Sequence, residues 1–163
     1  MIMRFLRHVG SAYWHARRTF PHSARAAVAD AIARAEQGHA GEICFVVEAS
    51  LTPLQLLRGM SARERALELF AQLHVWDTAA NSGVLVYVLL ADRAVEILAD
   101  RGLHPQGEAC WPQVSERILQ AFRTGAPAAG CVGAVTDIGD FLRSTFPADG
   151  PNPDELPNSV RLF

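Results

Sequence analysis

Asp77, Asn81, Asp100 and Glu108, with Arg101 beside the third, are the side chains of this 163-residue chain that suggest chemistry by type. Carboxylate and amide oxygens on loops, without cysteine or histidine, are the donor set that a hard cation prefers. An ion held there would bridge a phosphoryl oxygen and polarise water, with Arg101 as a bidentate phosphate holder. The plainer alternative makes Asp77 and Asn81 turn formers and gives Arg101 a salt bridge to Asp77 or Asp100. A rival group consists of Glu48, Ser50, Asp92 and Arg93, for which the alternative is a strand end and a solvated hairpin tip. His74 and His104 have no carboxylate or serine partner in a nucleophile motif, and no G-x-S-x-G occurs, so they receive no catalytic role. Asp-x-Asp, histidine-based and cysteine–arginine phosphatase signatures are all missing from the sequence.

The elements that position these residues follow from hydrophobic periodicity. Ser23 to Gln37 reads as a helix with Ala24, Ala27, Val28, Ala31, Ile32 and Ala35 on its apolar face. Glu42 to Glu48 is too apolar and too short for an exposed helix and reads as a buried strand. Ser61-Ala62-Arg63-Glu64 is a capping box opening a helix that closes near His74. Val84 to Leu90 is a strand, Ala91-Asp92-Arg93 a turn, and Ala94 to Asp100 the returning strand of a hairpin. Two helices follow, centred on Val114–Phe122 and on residues 128–145. The proline-rich segment from Asp149 to Asn158 predicts irregular structure.

Strand, helix and strand make a right-handed parallel crossover, and the hairpin adds an antiparallel neighbour. The expected fold class is α/β: a three-layer α/β/α sandwich with a small mixed sheet, helices covering both faces. The expected organisation is a basic amphipathic helix over 1–20, the α/β/α domain over 21–147 and an irregular tail over 148–163. In this topology the two parallel strands start at one pole, and the hairpin returns there. Counting outward from Asp92 sets Asn81 and Gly83 close to Arg101 and Gly102, with Asp77, Asp100 and Glu108 at the same pole. Glu48 and Asp92 fall at the opposite pole, beyond the carboxyl ends of the strands, where ligands of open α/β sheets usually bind.

Composition narrows the function classes. All 15 basic residues are arginine, which excludes lysine Schiff bases and P-loop lysines. A net charge of −2 with a pI near 6.3 argues against a nucleic-acid partner. Cys44, Cys110 and Cys131 have no C-x-x-C spacing and read as free thiols in a reducing compartment. Through Arg25 the chain carries five Arg, three His and no acid, with Phe5, Leu6, Val9, Tyr13 and Trp14 on one helical stripe. That stripe either docks on the domain, burying Trp14, or rests on an anionic membrane surface or a partner. Arg4, Arg7 and His8 interrupt the apolar run of roughly 7–15 residues that a signal peptide needs. A cytoplasmic location is therefore expected, peripheral to a membrane if residues 1–20 make that contact.

The succession Gly41-Glu42-Ile43, then Trp76-Asp77…Asn81-Ser82-Gly83-Val84-Leu85-Val86-Tyr87-Val88, then Asp92-Arg93…Val95-Glu96-Ile97…Asp100-Arg101-Gly102 resembles the TPM domain family. Phe122-Arg123-Thr124-Gly125…Gly130 and Glu155-Leu156-Pro157-Asn158 are similar to its bacterial branch. The resemblance spans about residues 24–158. It implies an α/β/α sandwich, binding of a divalent cation (usually calcium), and in some plant members an acid phosphatase activity, with no organic cofactor. The family's asparagine–glycine element matches Asn81 and Gly83, and the acid before it matches Asp77. Its turn of glycine, arginine or tyrosine, and glycine matches Asp100-Arg101-Gly102, with Asp in place of the first Gly, and a later acid matches Glu108. The resulting expectation is a calcium-binding accessory domain acting through protein or membrane-associated contacts. A metal-assisted phosphomonoesterase using Asp77, Asp100 and Arg101 is the alternative, and a purely structural interaction domain with an unknown protein partner is a second.

Overall fold

The computed structural model describes residues 2–10, 13–103, 109–148 and 155–163. In chain order the elements are α1 (Ile2–Gly10), α2 (Tyr13–Thr19), α3 (His22–Ala35), β1 (Glu42–Glu48), α4 (Pro53–Leu57) and α5 (Ala62–Gln72). There follow β2 (Gly83–Leu89), β3 (Ala94–Ala99), a 3₁₀ turn over Arg101–Leu103, α6 (Trp111–Arg123), α7 (Pro127–Thr145) and β4 (Val160–Leu162).

The strands form one sheet in the order β3-β2-β1-β4. β1 runs parallel to β2 and to β4, while β2 and β3 form the antiparallel hairpin. Both β1 and β2 are buried along their whole length, as a sheet covered on two faces requires. Their side chains alternate between two cores. Ile43, Phe45, Val47, Val84, Val86 and Val88 pack with α3, α6 and α7. Cys44, Val46, Leu85, Tyr87 and Leu89 pack with α4 and α5. The period-two alternation of a strand thus feeds both helical layers, and the three-layer α/β/α sandwich is the observed architecture.

The amphipathic helix expected over 1–20 is described as α1 and α2, with residues 11 and 12 and the side chain of Trp14 outside the described ones. Two differences from the sequence reading have local causes. α4 is an additional short helix, opened by a capping box in which Thr52 Oγ1 accepts from the Gln55 N–H and Gln55 Oε1 accepts from the Thr52 N–H. The tail expected to be irregular ends in β4, whose three residues pair with Phe45, Val46 and Val47. Backbone hydrogen bonding along the open edge of β1 supplies what so short a segment lacks in hydrophobic pattern.

A buried polar network ties β1, α5 and β2 together. Glu48 is held by Arg65, whose Nη2 lies 3.0 Å and Nε 3.1 Å from its carboxylate oxygens, and by the Tyr87 hydroxyl, which donates at 2.5 Å. Burial above all, and then the Glu48 charge, pushes the Tyr87 hydroxyl far above the usual phenol range. Removing one member leaves a desolvated charge without its counterpart. Arg65→Ala is expected to cost about 3–5 kcal/mol of unfolding free energy in urea. Adding Glu48→Gln to that variant is expected to restore part of the loss; an unchanged urea midpoint in the single variant would contradict the role given to the network.

Candidate functional site at the strand-start pole

Backbone register builds the pole. Glu42 pairs with Gly83, and Val84 with Ala99, so the starts of β1 and β2 and the end of β3 meet. The Asp100 N–H donates to the Gly83 carbonyl at 2.9 Å, and the Gly102 N–H to the Asn81 carbonyl at 3.1 Å. The loop between α5 and β2 turns through Asp77, whose N–H donates to the His74 carbonyl, and Asn81, whose N–H donates to that of Thr78. Asn81 has φ of +50°, a region asparagine tolerates better than most residues. Thr78 Oγ1 accepts from the Ser82 N–H, and Ser82 Oγ donates to the Ala40 carbonyl at 2.7 Å, fastening the loop to the entry of β1.

Two glycines permit this approach. A Cβ on Gly83 would lie 1.9 Å from the Val75 carbonyl oxygen, and one on Gly102 would lie 2.5 Å from that of Asn81. Backbone on backbone leaves no flexible atom to yield, so any side chain at either position would separate the strand ends from the loop.

The side chains divide. Asp100 is 9% exposed; its Oδ1 accepts from the Arg101 N–H at 2.7 Å, while its buried Oδ2 has no hydrogen-bond partner among the described residues. Asn81 is half-buried, and Asp77 and Arg101 are exposed. The salt bridge considered from sequence, Arg101 to Asp77 or Asp100, is not formed among the described residues. Glu108 and His104 lie outside the described residues. Among those described, no group of three or more His, Cys, Asp or Glu side chains is gathered closely enough to hold a metal ion.

Two glutamates join this pole that the sequence reading did not count as site residues. Glu42 Oε2 accepts from the Leu156 N–H at 3.1 Å, and Glu155 Oε2 accepts from the Ala79 N–H at 3.0 Å. Leu156 is buried in the α4–α5 core, so the tail returns across the site loop. The Glu155-Leu156-Pro157-Asn158 motif was the available signal, but nothing in its spacing names Ala79 as its target.

The rival group at the other pole is engaged by the protein itself. Glu48 belongs to the network with Arg65 and Tyr87. Asp92, at the hairpin tip, receives Arg4 Nη2 at 2.8 Å and Nε at 3.0 Å, with His8 Nε2 at 3.0 Å and Arg7 Nη2 at 3.4 Å. Burial works against ionisation of Asp92, but Arg4 and His8 outweigh it and hold the carboxyl below its usual range. His74 is exposed beside Trp76. Cys44, Cys110 and Cys131 are free, and burial pushes the Cys44 thiol up to about 11 and that of Cys131 up to about 12.

With this geometry in view, a model of the TPM domain matches residues 16–141. The chain belongs to the TPM domain family. A solved relative is the BA42 protein of the psychrophilic bacterium Bizionia argentinensis sp. nov., determined by NMR: 27% identical, TM-score 0.75, covering 86% of this chain and 93% of that one. No curated protein matches the chain. The matched region holds the strand-start pole, both glycines and Asp100, and its lower bound includes α3 and part of α2. No helix among the described residues is long and apolar enough to cross a membrane.

Gly102→Ala is expected to destabilise the fold by about 1–3 kcal/mol through overpacking and to shift the amide resonances of Asn81 and Gly83; an unperturbed Asn81 amide would contradict the close approach. Asp92 titrates lower folded than unfolded, so its ion pairs stabilise above the unfolded carboxyl value of about 3.9. That stability is lost as pH falls through the lower folded value. A carboxyl ¹³C titration is expected to place the Asp92 midpoint below that reference and to move it upward in Arg4→Ala; a midpoint indifferent to Arg4 would contradict the pairing.

Proposed function

We propose that this chain is an accessory domain that binds a divalent cation, calcium by the chemistry of its donors, at the strand-start pole. Asp100 supplies the primary ligand, with Asn81, Asp77 and Glu108 as further oxygen donors, and no organic cofactor is involved. One observation carries the reading: Asp100 Oδ2 is buried without a hydrogen-bond partner among the described residues. Leaving a carboxylate oxygen desolvated and unmatched is unfavourable, and a cation beside it removes the mismatch. The proposed donors are all oxygen, which suits a hard ion over zinc or copper. Few charged groups converge among the described residues, so backbone carbonyls and water would complete the shell. Such a site is weak, with a dissociation constant of roughly 10⁻⁴–10⁻³ M.

Calcium titration followed by amide NMR tests this reading. Saturable shifts at Asn81, Gly83, Asp100 and Gly102 are expected, reduced at least about tenfold in apparent affinity by Asp100→Asn, since hydrogen bonds and contacts to a charged group carry about 1.5–3 kcal/mol. Shifts that are absent, or that persist undiminished in Asp100→Asn, would overturn it.

A further inference from the structure

We infer that α1 and α4, with the arginine-lined cleft beside them, dock this protein onto an anionic lipid bilayer. This deepens the accessory role proposed above without depending on the cation site. The carrying observation is that α1 is docked by its polar side. His8 is fully buried, its Nδ1 accepting from the Leu51 N–H at 2.9 Å and its Nε2 facing Asp92, while Arg4 grips Asp92 and the Met60 carbonyl. Arg4 and His8 are one turn apart, so they share the face turned to the protein. At about 100° per residue, Leu6 stands opposite that face. The apolar side of α1 is therefore turned outward, with Met3 75% and Leu6 59% exposed. An amphipathic helix of a globular domain ordinarily turns its apolar stripe to the core.

α4 packs beside α1 and repeats the pattern at a spacing of three, burying Leu56 while exposing Leu54 and, at 78%, Leu57. Charge selects the occupant. No Asp or Glu occurs in residues 1–29 or 49–63, the stretches that form both helices, although the whole chain carries a net charge of −2. The acid that meets α1, Asp92, is already matched by Arg4 and Arg7, with His8 Nε2 3.0 Å away. Next to Leu6 opens a cleft of about 750 Å³ whose lining includes Leu90 and Phe122, three arginines (Arg7, Arg93 and Arg123) and no acid. Apolar side chains at the surface of helices whose own sequences carry arginine and no acid are the features of an interfacial helix on anionic lipid. Arg123 is engaged by Glu116 and Arg7 by Asp92, so Arg93 is the guanidinium that the cleft offers a lipid phosphate beside its apolar wall.

Sedimentation with vesicles of phosphatidylcholine alone, or of phosphatidylcholine with phosphatidylglycerol, tests the inference, all in EDTA so that calcium plays no part. The wild-type chain is expected to pellet with the anionic vesicles and not the neutral ones, and to be released progressively by salt. Leu6→Glu is expected to weaken binding roughly tenfold or more, since burial of a leucine is lost and a like charge gained. Arg93→Gln is expected to weaken it less, and both variants to keep the wild-type far-UV circular dichroism spectrum. Equal binding to neutral vesicles, or no binding to anionic ones, would overturn the inference. So would concentration-dependent self-association that Leu6→Glu abolishes, because the apolar face would then belong to a second copy. Failure here with an intact calcium response would leave the cation site standing, and the reverse result would leave the membrane surface standing.

Discussion

The arrangement of the strand-start pole depends on one close approach: the backbone at Gly102 lying against the Asn81 carbonyl, directly after the Asp100 N–H has bonded to Gly83. These contacts turn a hairpin and a crossover into a single piece of surface. They fix where Asp100 enters the 3₁₀ turn, where one of its carboxylate oxygens is buried. Were the strand end displaced by the width of a methyl group, the carboxylate would be hydrated and the pole would carry no electrostatic demand. The two glycines are thus placed by steric exclusion, and the acid between them by the register of β2 with β3.

The hairpin was legible in the sequence, and its register to within one residue: counting outward from Asp92 pairs Val84 with Asp100, whereas Val84 faces Ala99. Val84–Leu90 and Ala94–Asp100 are separated by a short turn, and a tight turn leaves little freedom in which residues face one another. The parallel pairing of β1 with β2 followed from two continuous apolar runs separated by a capped helix. Less legible was everything held by backbone or by side chains distant in sequence. α4 announced itself only through Thr52-Pro53-Leu54-Gln55, a capping box on a helix five residues long. β4 has three residues and an edge to pair with. The attachment of Glu155 to Ala79 spans 76 positions, and hydrophobic periodicity has no bearing on a single carboxylate meeting a single N–H. The orphaned oxygen of Asp100 depends on burial, which composition does not report. For Glu48 and Asp92 the missing knowledge was of their partners: Arg65 and Tyr87 in one case, Arg4 and His8 in the other.

The amino-terminal segment shows why an apolar stripe does not by itself define an inner face. Phe5 and Leu6 suggested a helix that buries its hydrophobic side, yet a histidine and an arginine one turn apart offered a stronger anchor. Asp92 is presented at the hairpin tip, partly shielded from water, and leaving it without Arg4 would strand a desolvated charge. Orientation of the helix is therefore decided by the charge at the hairpin tip, and the exposed apolar face follows from it. The two poles of the sheet are distinguished in the same terms. At one, the carboxylates are matched by the protein's own cations; at the other, a buried carboxylate oxygen of Asp100 has no hydrogen-bond partner among the described residues.

A high-resolution crystal structure grown in calcium-containing solution addresses that distinction most directly. The account predicts an ion at roughly 2.3–2.6 Å from Asp100 Oδ2, with oxygen donors from the loop that precedes β2. An ordered water alone beside that oxygen, or an ion bound at Glu48 or Asp92 instead, would contradict it.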